Sequence, residues 1–446
     1  MKVSVIGTGY VGLVSGVCLA ATGHDVICVD TDENKIARIN AGDPPIYEAG
    51  LEELLKRHVG RSLHATKDLA QAVLDSDISL IAVGTPFDGA TIDLRYIREV
   101  AREIGLVLRD KPGYHVVVVK STVVPGTTED VVLPLLEEHS GKRAGVAFGV
   151  GMNPEFLREG EAINDFMEPD RIVLGGIDPR TIDVLDELYK GFPNVDKVRT
   201  NPRTAEMIKY TSNSLLASLI SFSNEIGNLC AHIGVDVVEV MEGVHLDRRL
   251  SPITEDGTRI RPASLTYLAA GCGFGGSCFP KDVKALIAYG EAQGSPMELL
   301  KAVIDVNRAQ PEKMMELLRK HLPELRGRKV AVLGMAFKPG TDDIRESPSI
   351  PVTRQLLDAG AVVVAYDPVA RHEAERLFGN DVRFLEDLAE AVAGVEAVLV
   401  MTRWPQFDSL PDLLKRSSIQ PVVIDGRRML PRDAVPRYEG IGLGVA

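Results

Sequence analysis

A short apolar run, Val3-Ser4-Val5-Ile6, passes straight into Gly7-Thr8-Gly9-Tyr10-Val11-Gly12, then into a helical stretch from Leu13 to Thr22. A second run, His24 to Val29, follows and ends in Asp30. Nothing else in the chain restricts its fold so tightly. A glycine pattern of this kind is a weak signal by itself. Here it has a strand before it, a helix after it and an acid eighteen residues past the third glycine, which is the context of a dinucleotide-binding βαβ unit. Gly7 would make the tight turn, Gly9 would admit the pyrophosphate and Gly12 would let helix and strand pack closely. Asp30 would receive the ribose hydroxyls, and with Asp32 and Glu33 behind it would repel a 2′-phosphate, so NAD is expected in preference to NADP.

Further strands end where such a sheet needs its ligand edge. Asp77–Val83 runs into Gly84-Thr85-Pro86, and His115–Lys120 runs into Ser121-Thr122. Ligands of open α/β sheets lie outside the carboxyl ends of strands, which makes Thr85 and Thr122 candidates for the cofactor edge. The pattern then returns in degenerate form. Arg328–Gly334 is a strand entering a glycine loop, Ala361–Asp367 echoes the strand ending at Asp30, and Val395–Thr402 echoes the one running to Thr85. This second loop, Gly334–Gly340, lacks GxGxxG but holds Lys338, with Arg345 nearby, and suits a nucleotide's phosphates better than a second NAD.

The 446 residues exceed what one core holds, so two or three domains are expected. A net charge of −13 argues against nonspecific nucleic-acid binding. No apolar run reaches membrane-spanning length, and the N-terminus reads as a strand instead of a signal peptide, so a cytoplasmic protein without membrane partners is expected. The five cysteines are odd in number and follow no C-x-x-C spacing, which argues against both a disulfide framework and a zinc site; no metal is expected.

One of those cysteines keeps telling company: Gly273-Phe274-Gly275-Gly276-Ser277-Cys278-Phe279-Pro280-Lys281-Asp282, just before a helical run. Unpaired N–H groups at a helix start and a nearby ammonium both favour thiolate over thiol, so Cys278 is a candidate nucleophile. Its glycines would let backbone approach a bulky ligand. Upstream, Arg203 to Ile233 shows apolar residues at Leu215, Leu219, Phe222, Ile226, Leu229 and Ile233, the spacing of a helix packed along its length. Such a helix could link two domains and offer a dimer face. Lys209, Asn213 and Asn224 fall on one polar stripe of it, where an ammonium and two amides could bind sugar or stabilise an oxyanion. Glu155 and Glu159, four apart, would share one helical turn. The loop-rich segment from Gly243 to Ala270 carries Arg248, Arg249, Arg259 and Arg261, the basic density a pyrophosphate would need. Past the cysteine, Pro296–Arg308 and Pro311–His321 look like two helices.

With GxGYVG, NPEFLRE, AEMIKYTSN, NEIGN, GFGGSCFPKD and FKPGTDDIRESP in order, the chain resembles the UDP-glucose/GDP-mannose dehydrogenase family over essentially its full length. The resemblance implies an α/β fold of two Rossmann-like domains joined by a long central helix and a helical dimerisation region, with a homodimer as the assembly. The boundaries would be residues 1–200 for the NAD domain, 201–300 for the central region with the cysteine loop, and 301–446 for the domain binding the UDP-sugar. It implies NAD-dependent oxidation of a nucleotide sugar's C6 alcohol to a carboxylate through a thiohemiacetal and a thioester on Cys278. Lys209 and Asn213 would stabilise the oxyanion, while Asp282, Thr122 and Glu159, supported by Glu155, would position or deprotonate water. Gly7, Gly9, Tyr10, Val11, Gly12, Asp30, Lys35, Thr85, Thr122, Glu159, Lys281 and Arg345 match cofactor positions. Glu155, Phe156, Leu157, Lys209, Asn213, Asn224, Arg249, Tyr267, Gly271, Phe274, Gly275 and Lys338 match sugar-nucleotide positions. Glu168–Val173 and Leu246–Arg249 look like the UDP-glucose branch, with GDP-mannose as the alternative substrate; Thr254–Arg259 lengthens the substrate loop relative to the usual pattern.

Overall fold

The computed structural model describes residues 1–416 and 419–444. The chain divides into two compact units, Met1–Ser212 and Asn213–Ala446. The first is built on eight strands: β1 (Lys2–Ile6), β2 (Asp25–Val29), β3 (Leu63–Thr66), β4 (Ile78–Ile81), β5 (His115–Val119), β6 (Phe148–Met152), β7 (Ile172–Gly176) and β8 (Lys197–Thr200). They lie in the order β3-β2-β1-β4-β5-β6-β7-β8, parallel throughout except where β6 meets β7. Strands β4 and β5 are buried at every residue, as expected of near-continuous apolar runs covered by helices on both faces. Alternate residues feed two cores: Val3, Val5, Leu80, Val116 and Val118 pack on one side of the sheet, Ile6, Ile81, Val117 and Val119 on the other. The strand order reverses between β1 and β4, which opens the crevice where such sheets take ligands.

The second unit repeats this topology with β9 (Lys329–Leu333), β10 (Val362–Tyr366), β11 (Arg383–Phe384), β12 (Ala397–Val400), β13 (Val422–Asp425) and β14 (Tyr438–Gly440). The order β11-β10-β9-β12-β13-β14 reverses at the equivalent place, so the degenerate repeat read in the sequence is a structural one. Its core extends onto helical residues before the sheet, including Cys230, Val237, Met241, Met314 and Leu318. The expected pair of helices at 296–321 is a single helix, Glu298–His321, with Pro311 inside it. Proline removes one ladder hydrogen bond there, but burial of Val303, Met314, Met315 and Leu318 along the same helix holds it together.

The helix Pro202–Ile233 runs for 32 residues, about 48 Å at 1.5 Å per residue. Its packing differs from the sequence expectation. Leu215, Phe222, Leu229 and Ile233 are 58%, 51%, 54% and 59% exposed, while Asn213, Ser214, Ala217, Ser221, Ser223 and Asn224 are buried. The face turned to its own unit is small and polar because neighbours come close: a Cβ on Gly227 would stand 2.9 Å from the Cβ of Ala270, and the Ser221 hydroxyl donates to the Val303 carbonyl at 2.8 Å. A larger side chain does not fit at Gly227. Among the described residues no helix is long and apolar enough to cross a membrane.

One buried group gives the fold a pH dependence. His115, opening β5, sits against the Ser79 hydroxyl at 2.8 Å and the Ser76 carbonyl at 3.2 Å. Burial, with the Lys111 charge added, pushes its imidazole down to about 3. Unfolded, the ring titrates near 6.5, so below that pH the unfolded chain binds a proton that the folded one refuses. Stability is fully present above pH ~6.5 and falls toward pH ~3, by up to about 1.4 kcal/mol per unit. Urea titrations at pH 7 and pH 5 should show a loss of about 2 kcal/mol from this residue, and His115→Gln should show a correspondingly smaller difference between the two pH values.

Candidate active site

The first unit supplies the cofactor edge. Gly7 has φ +98°, and a Cβ on Gly12 would stand 1.9 Å from the Gly7 carbonyl oxygen, so only glycine closes this turn. Gly9 has open space where a Cβ would be. The helix Tyr10–Ala21 that follows has no side-chain cap and no acid in its first turn, which leaves its N–H groups available to an anion. Asp30 is already oriented: it accepts from Thr8 N at 2.9 Å, Thr8 Oγ1 at 2.5 Å and Asp32 N at 3.0 Å, with Lys35 at 4.0 Å. Burial pushes its carboxyl up, yet these donors and Lys35 hold it below the ordinary carboxylate range. A dinucleotide fits this cradle: the helix start would take its pyrophosphate and Asp30 its ribose. Thr85 donates to the Thr122 carbonyl at 2.8 Å and so ties the loops after β4 and β5 together. Val11 lies in the first turn of the helix, and the Tyr10 hydroxyl is bonded to Glu48.

Next to that edge is a buried ionic group. Glu155 and Glu159 do not share a helical turn: residues 153–158 form an irregular segment after Asn153-Pro154, and Gly160 adopts φ +84°. Proline disfavours helix in the residue before it, and Glu155 uses its own carboxylate to bond Leu157 N at 2.6 Å. Its other oxygen meets Lys209 at 2.9 Å, with both side chains buried. Burial pushes the Glu155 carboxyl up, but Lys209, Leu157 N and Lys120 together hold it below its usual range. Phe156 lies under the Arg171 guanidinium at 3.9 Å and 5.4 Å from Lys209 Nζ. Lys120 was not singled out in the sequence. Buried at the end of β5, it donates to Asn153 Oδ1 at 3.0 Å, which also accepts from Tyr189, and burial lowers its pKa to about 8. A lysine closing the run His115–Val119 was the available signal.

The second unit holds the cysteine. Four of the five cysteines are buried, and Cys278 is partly exposed. It caps the helix Phe279–Ala292, with Pro280 in the first turn and Ser277 Oγ 3.5 Å from its sulfur. Asp282, one turn on, is buried between Asn213 Nδ2 at 2.6 Å and Lys281 Nζ at 2.6 Å. The loop before the cysteine is pinned from several directions. Asn224 Oδ1 accepts from Gly271 N at 2.8 Å, Gln310 donates to the Gly271 carbonyl at 2.7 Å, and Asn307 Oδ1 accepts from Phe274 N at 2.7 Å. A Cβ on Gly275 would stand 2.3 Å from the Glu346 carbonyl oxygen. That glycine serves close packing on the protein's own backbone. The Phe279 ring meets Phe274 edge to face and Tyr267 at a tilt. Arg427, which no sequence pattern marks, donates from Nη1 to the Gly273 carbonyl at 3.0 Å, while its buried Nη2 has no hydrogen-bond partner among the described residues. Asn224 Nδ2 is likewise buried without one.

In the second sheet, Asp367 stands where Asp30 stands in the first. It accepts from Met335 N, Ala336 N, Val369 N, Ala370 N and Trp404 Nε1, at 2.7 to 3.2 Å. Fully engaged and buried, it has nothing to offer a ribose, which is why this unit is unsuited to a second dinucleotide. Lys338 is half-buried in the following loop, and Arg345 is bonded to Asp343 at 2.7 Å. Arg249 is exposed and paired with Asp247 at 2.5 Å, which pulls that carboxyl down to about 2.

The same division of labour is found in known proteins. Residues 1–193 match the NAD binding domain of the UDP-glucose/GDP-mannose dehydrogenase family, residues 203–309 its central domain and residues 331–432 its UDP binding domain. The UDP-glucose 6-dehydrogenase of Haloferax volcanii is 46% identical over 448 residues, covering 99% of this chain and 100% of that protein. The GDP-mannose 6-dehydrogenase of Pseudomonas aeruginosa is 40% identical over 456 residues, covering 99% and 100%. A solved UDP-glucose dehydrogenase from Pyrobaculum islandicum superposes with a TM-score of 0.90 at 44% identity, over 99% of this chain and 98% of that one. Matched by all three domains and by relatives of its own length, this chain, with its NAD cradle and its cysteine at a helix start, belongs to the UDP-glucose/GDP-mannose dehydrogenase family.

Proposed function

We propose that the protein is a UDP-glucose 6-dehydrogenase that carries its substrate from alcohol to acid in one site. The observation that supports this most is Cys278 at the start of the helix Phe279–Ala292, with Asp282 one turn away, held between Asn213 and Lys281. A two-electron dehydrogenase has no use for that thiol. Bound NAD would supply the acceptor for two hydrides. The overall balance is R–CH₂OH + 2 NAD⁺ + H₂O → R–COO⁻ + 2 NADH + 3 H⁺.

Cys278 sulfur would form a bond to C6 of the aldehyde, giving a thiohemiacetal whose C–H is then lost as hydride, leaving a thioester. Water would add to that thioester, the C–S bond would break, and the thiol would be regenerated with the carboxylate as product. Lys209 and Asn213 would donate to the oxygen that becomes negative at each addition. Asp282, Thr122 and Glu159 would orient water and take its proton. Arg427 and Asn224, with buried donors to spare, would hold the substrate beside Gly271 and Gly273.

NADH formed per molecule of limiting UDP-glucose in excess NAD should be close to two. A yield of one would contradict the thioester route. No NADH with UDP-glucose, but two with GDP-mannose, would move the assignment to the other substrate of the family. Cys278→Ser should lower acid formation on the order of 10³-fold or more; a variant that still yields two NADH at an undiminished rate would rule out the nucleophile.

The same proposal takes the protein to be a homodimer through the central helix. Leu215, Phe222, Leu229 and Ile233 are seven, seven and four residues apart and all exposed, and burying one such side chain is worth roughly 1.5–3 kcal/mol. Phe222→Glu together with Leu229→Glu should convert a sedimenting dimer into a monomer. If both proteins sediment with the mass of one chain, this face is not the interface.

A further inference from the structure

Glu48 lies in the connection between the helices Glu33–Asn40 and Leu51–His58, outside the glycine turn and the cysteine loop. It is buried, with 6% of its surface exposed. Its carboxylate accepts three hydrogen bonds from two separate segments: from the Tyr10 hydroxyl, from Gly160 N at 2.7 Å and from Ala162 N at 2.8 Å. Gly160 N also lies 3.1 Å from the Tyr10 hydroxyl oxygen. Among the described residues no cation is within ion-pair distance of Glu48. A carboxylate taken out of water without a counter-charge is tolerated only when donors replace its hydration, and all three donors here come from the dinucleotide turn and from the segment that carries Glu159.

Gly160 directly follows Glu159 and holds φ +84°, so the bond from its N–H to Glu48 fixes the peptide leaving Glu159. The near end of that segment is fixed independently by Glu155 on Lys209. Glu159 therefore hangs between two buried carboxylates that act as anchors. Its own charge bears on Tyr10, whose phenol is pushed up by burial first and then by its hydrogen bond to Glu48.

We propose that Glu48 is a positioning residue for the hydrolytic half of the reaction: through Gly160 and Tyr10 it fixes Glu159 relative to the start of the cofactor-binding helix. This rests on the reading of Glu159 as part of the group that activates water. It assigns the Tyr10 hydroxyl to a strut between Glu48 and Gly160.

The test uses the full-length protein, UDP-glucose and excess NAD in a stopped-flow instrument. Glu48→Gln keeps the shape but turns an amide N–H₂ against one of the backbone N–H groups. Both hydrides leave before water attacks. The variant should therefore give a burst of two NADH per subunit and then a steady rate lower by about 10- to 100-fold, with KM for both substrates falling by a similar factor, because slowing a step after both hydride transfers leaves kcat/KM unchanged. A residue needed only for folding would reduce burst and steady rate by the same factor, and that outcome, or no change in either, overturns the proposal. Glu159→Gln is run beside it. If Glu159→Gln turns over like wild type, the reading of Glu159 fails; if it stalls after a burst while Glu48→Gln does not, only the role of Glu48 fails. Should Glu48→Gln not fold, Tyr10→Phe carries the test, and a wild-type ratio of burst to steady rate in that variant overturns the proposal.

Discussion

The structure depends on one costly arrangement, a lysine and a row of amides and hydroxyls carried on the buried face of a long helix. Lys209, Asn213 and Asn224 are all buried, and a buried ammonium is acceptable only if its charge is answered. Glu155 answers Lys209 at 2.9 Å, Asp282 answers Asn213 at 2.6 Å, and Gly271 N answers Asn224 at 2.8 Å. Each partner belongs to a loop with work to do: the irregular segment after β6, the helix that begins at the cysteine, and the turn before it. Satisfying the helix and shaping these loops are the same set of bonds.

The two sheets show how one topology is assigned to two tasks. In both, an aspartate after the second strand grips backbone N–H groups of the loop after the first. Asp30 is left with one oxygen lightly used, facing a loop whose Gly9 leaves open space. Asp367 has both oxygens committed, and Trp404 adds a further donor. Strand order alone would predict two dinucleotide sites. The hydrogen-bond inventory of a single carboxylate separates them, because an acceptor already filled cannot recognise a ribose.

What could be read from the sequence was what depends on local pattern. The strand–turn–helix at Gly7–Gly12, the second sheet's echo of the first and the long helix ending at Ile233 rest on periodicity and glycine placement, and each lies where the pattern put it. Pattern misled where a side chain's partner lies far along the chain. Leu215 to Ile233 has the spacing of a packed stripe, yet Leu215, Phe222, Leu229 and Ile233 are exposed and only Leu219 and Ile226 are half-buried, since periodicity marks a face without saying what covers it. Glu155 and Glu159 have helical spacing, but a bond from Leu157 N and the demands of Lys209 favour an irregular path. Lys120, Arg427 and Glu48 gave almost no signal. Each matters through contacts more than thirty residues distant, to Asn153, Gly273 and Gly160.

The glycines around the cysteine extend this point to chemistry. A glycine-rich loop beside a nucleophile suggests a soft cradle shaped by its ligand. Here Gly275 is required by the Glu346 carbonyl and Gly276 by the ring of Phe337, each nearer than any Cβ would allow. Asn224, Gln310, Asn307 and Arg427 hold the flanking peptides. Such a loop has little freedom left to lose on binding, so the thiol is presented by a rigid support. Rigidity suits the proposed route, in which one sulfur would bond the aldehyde carbon and stay on it through hydride loss to the thioester, because the gain from orientation is large only when the geometry is set beforehand.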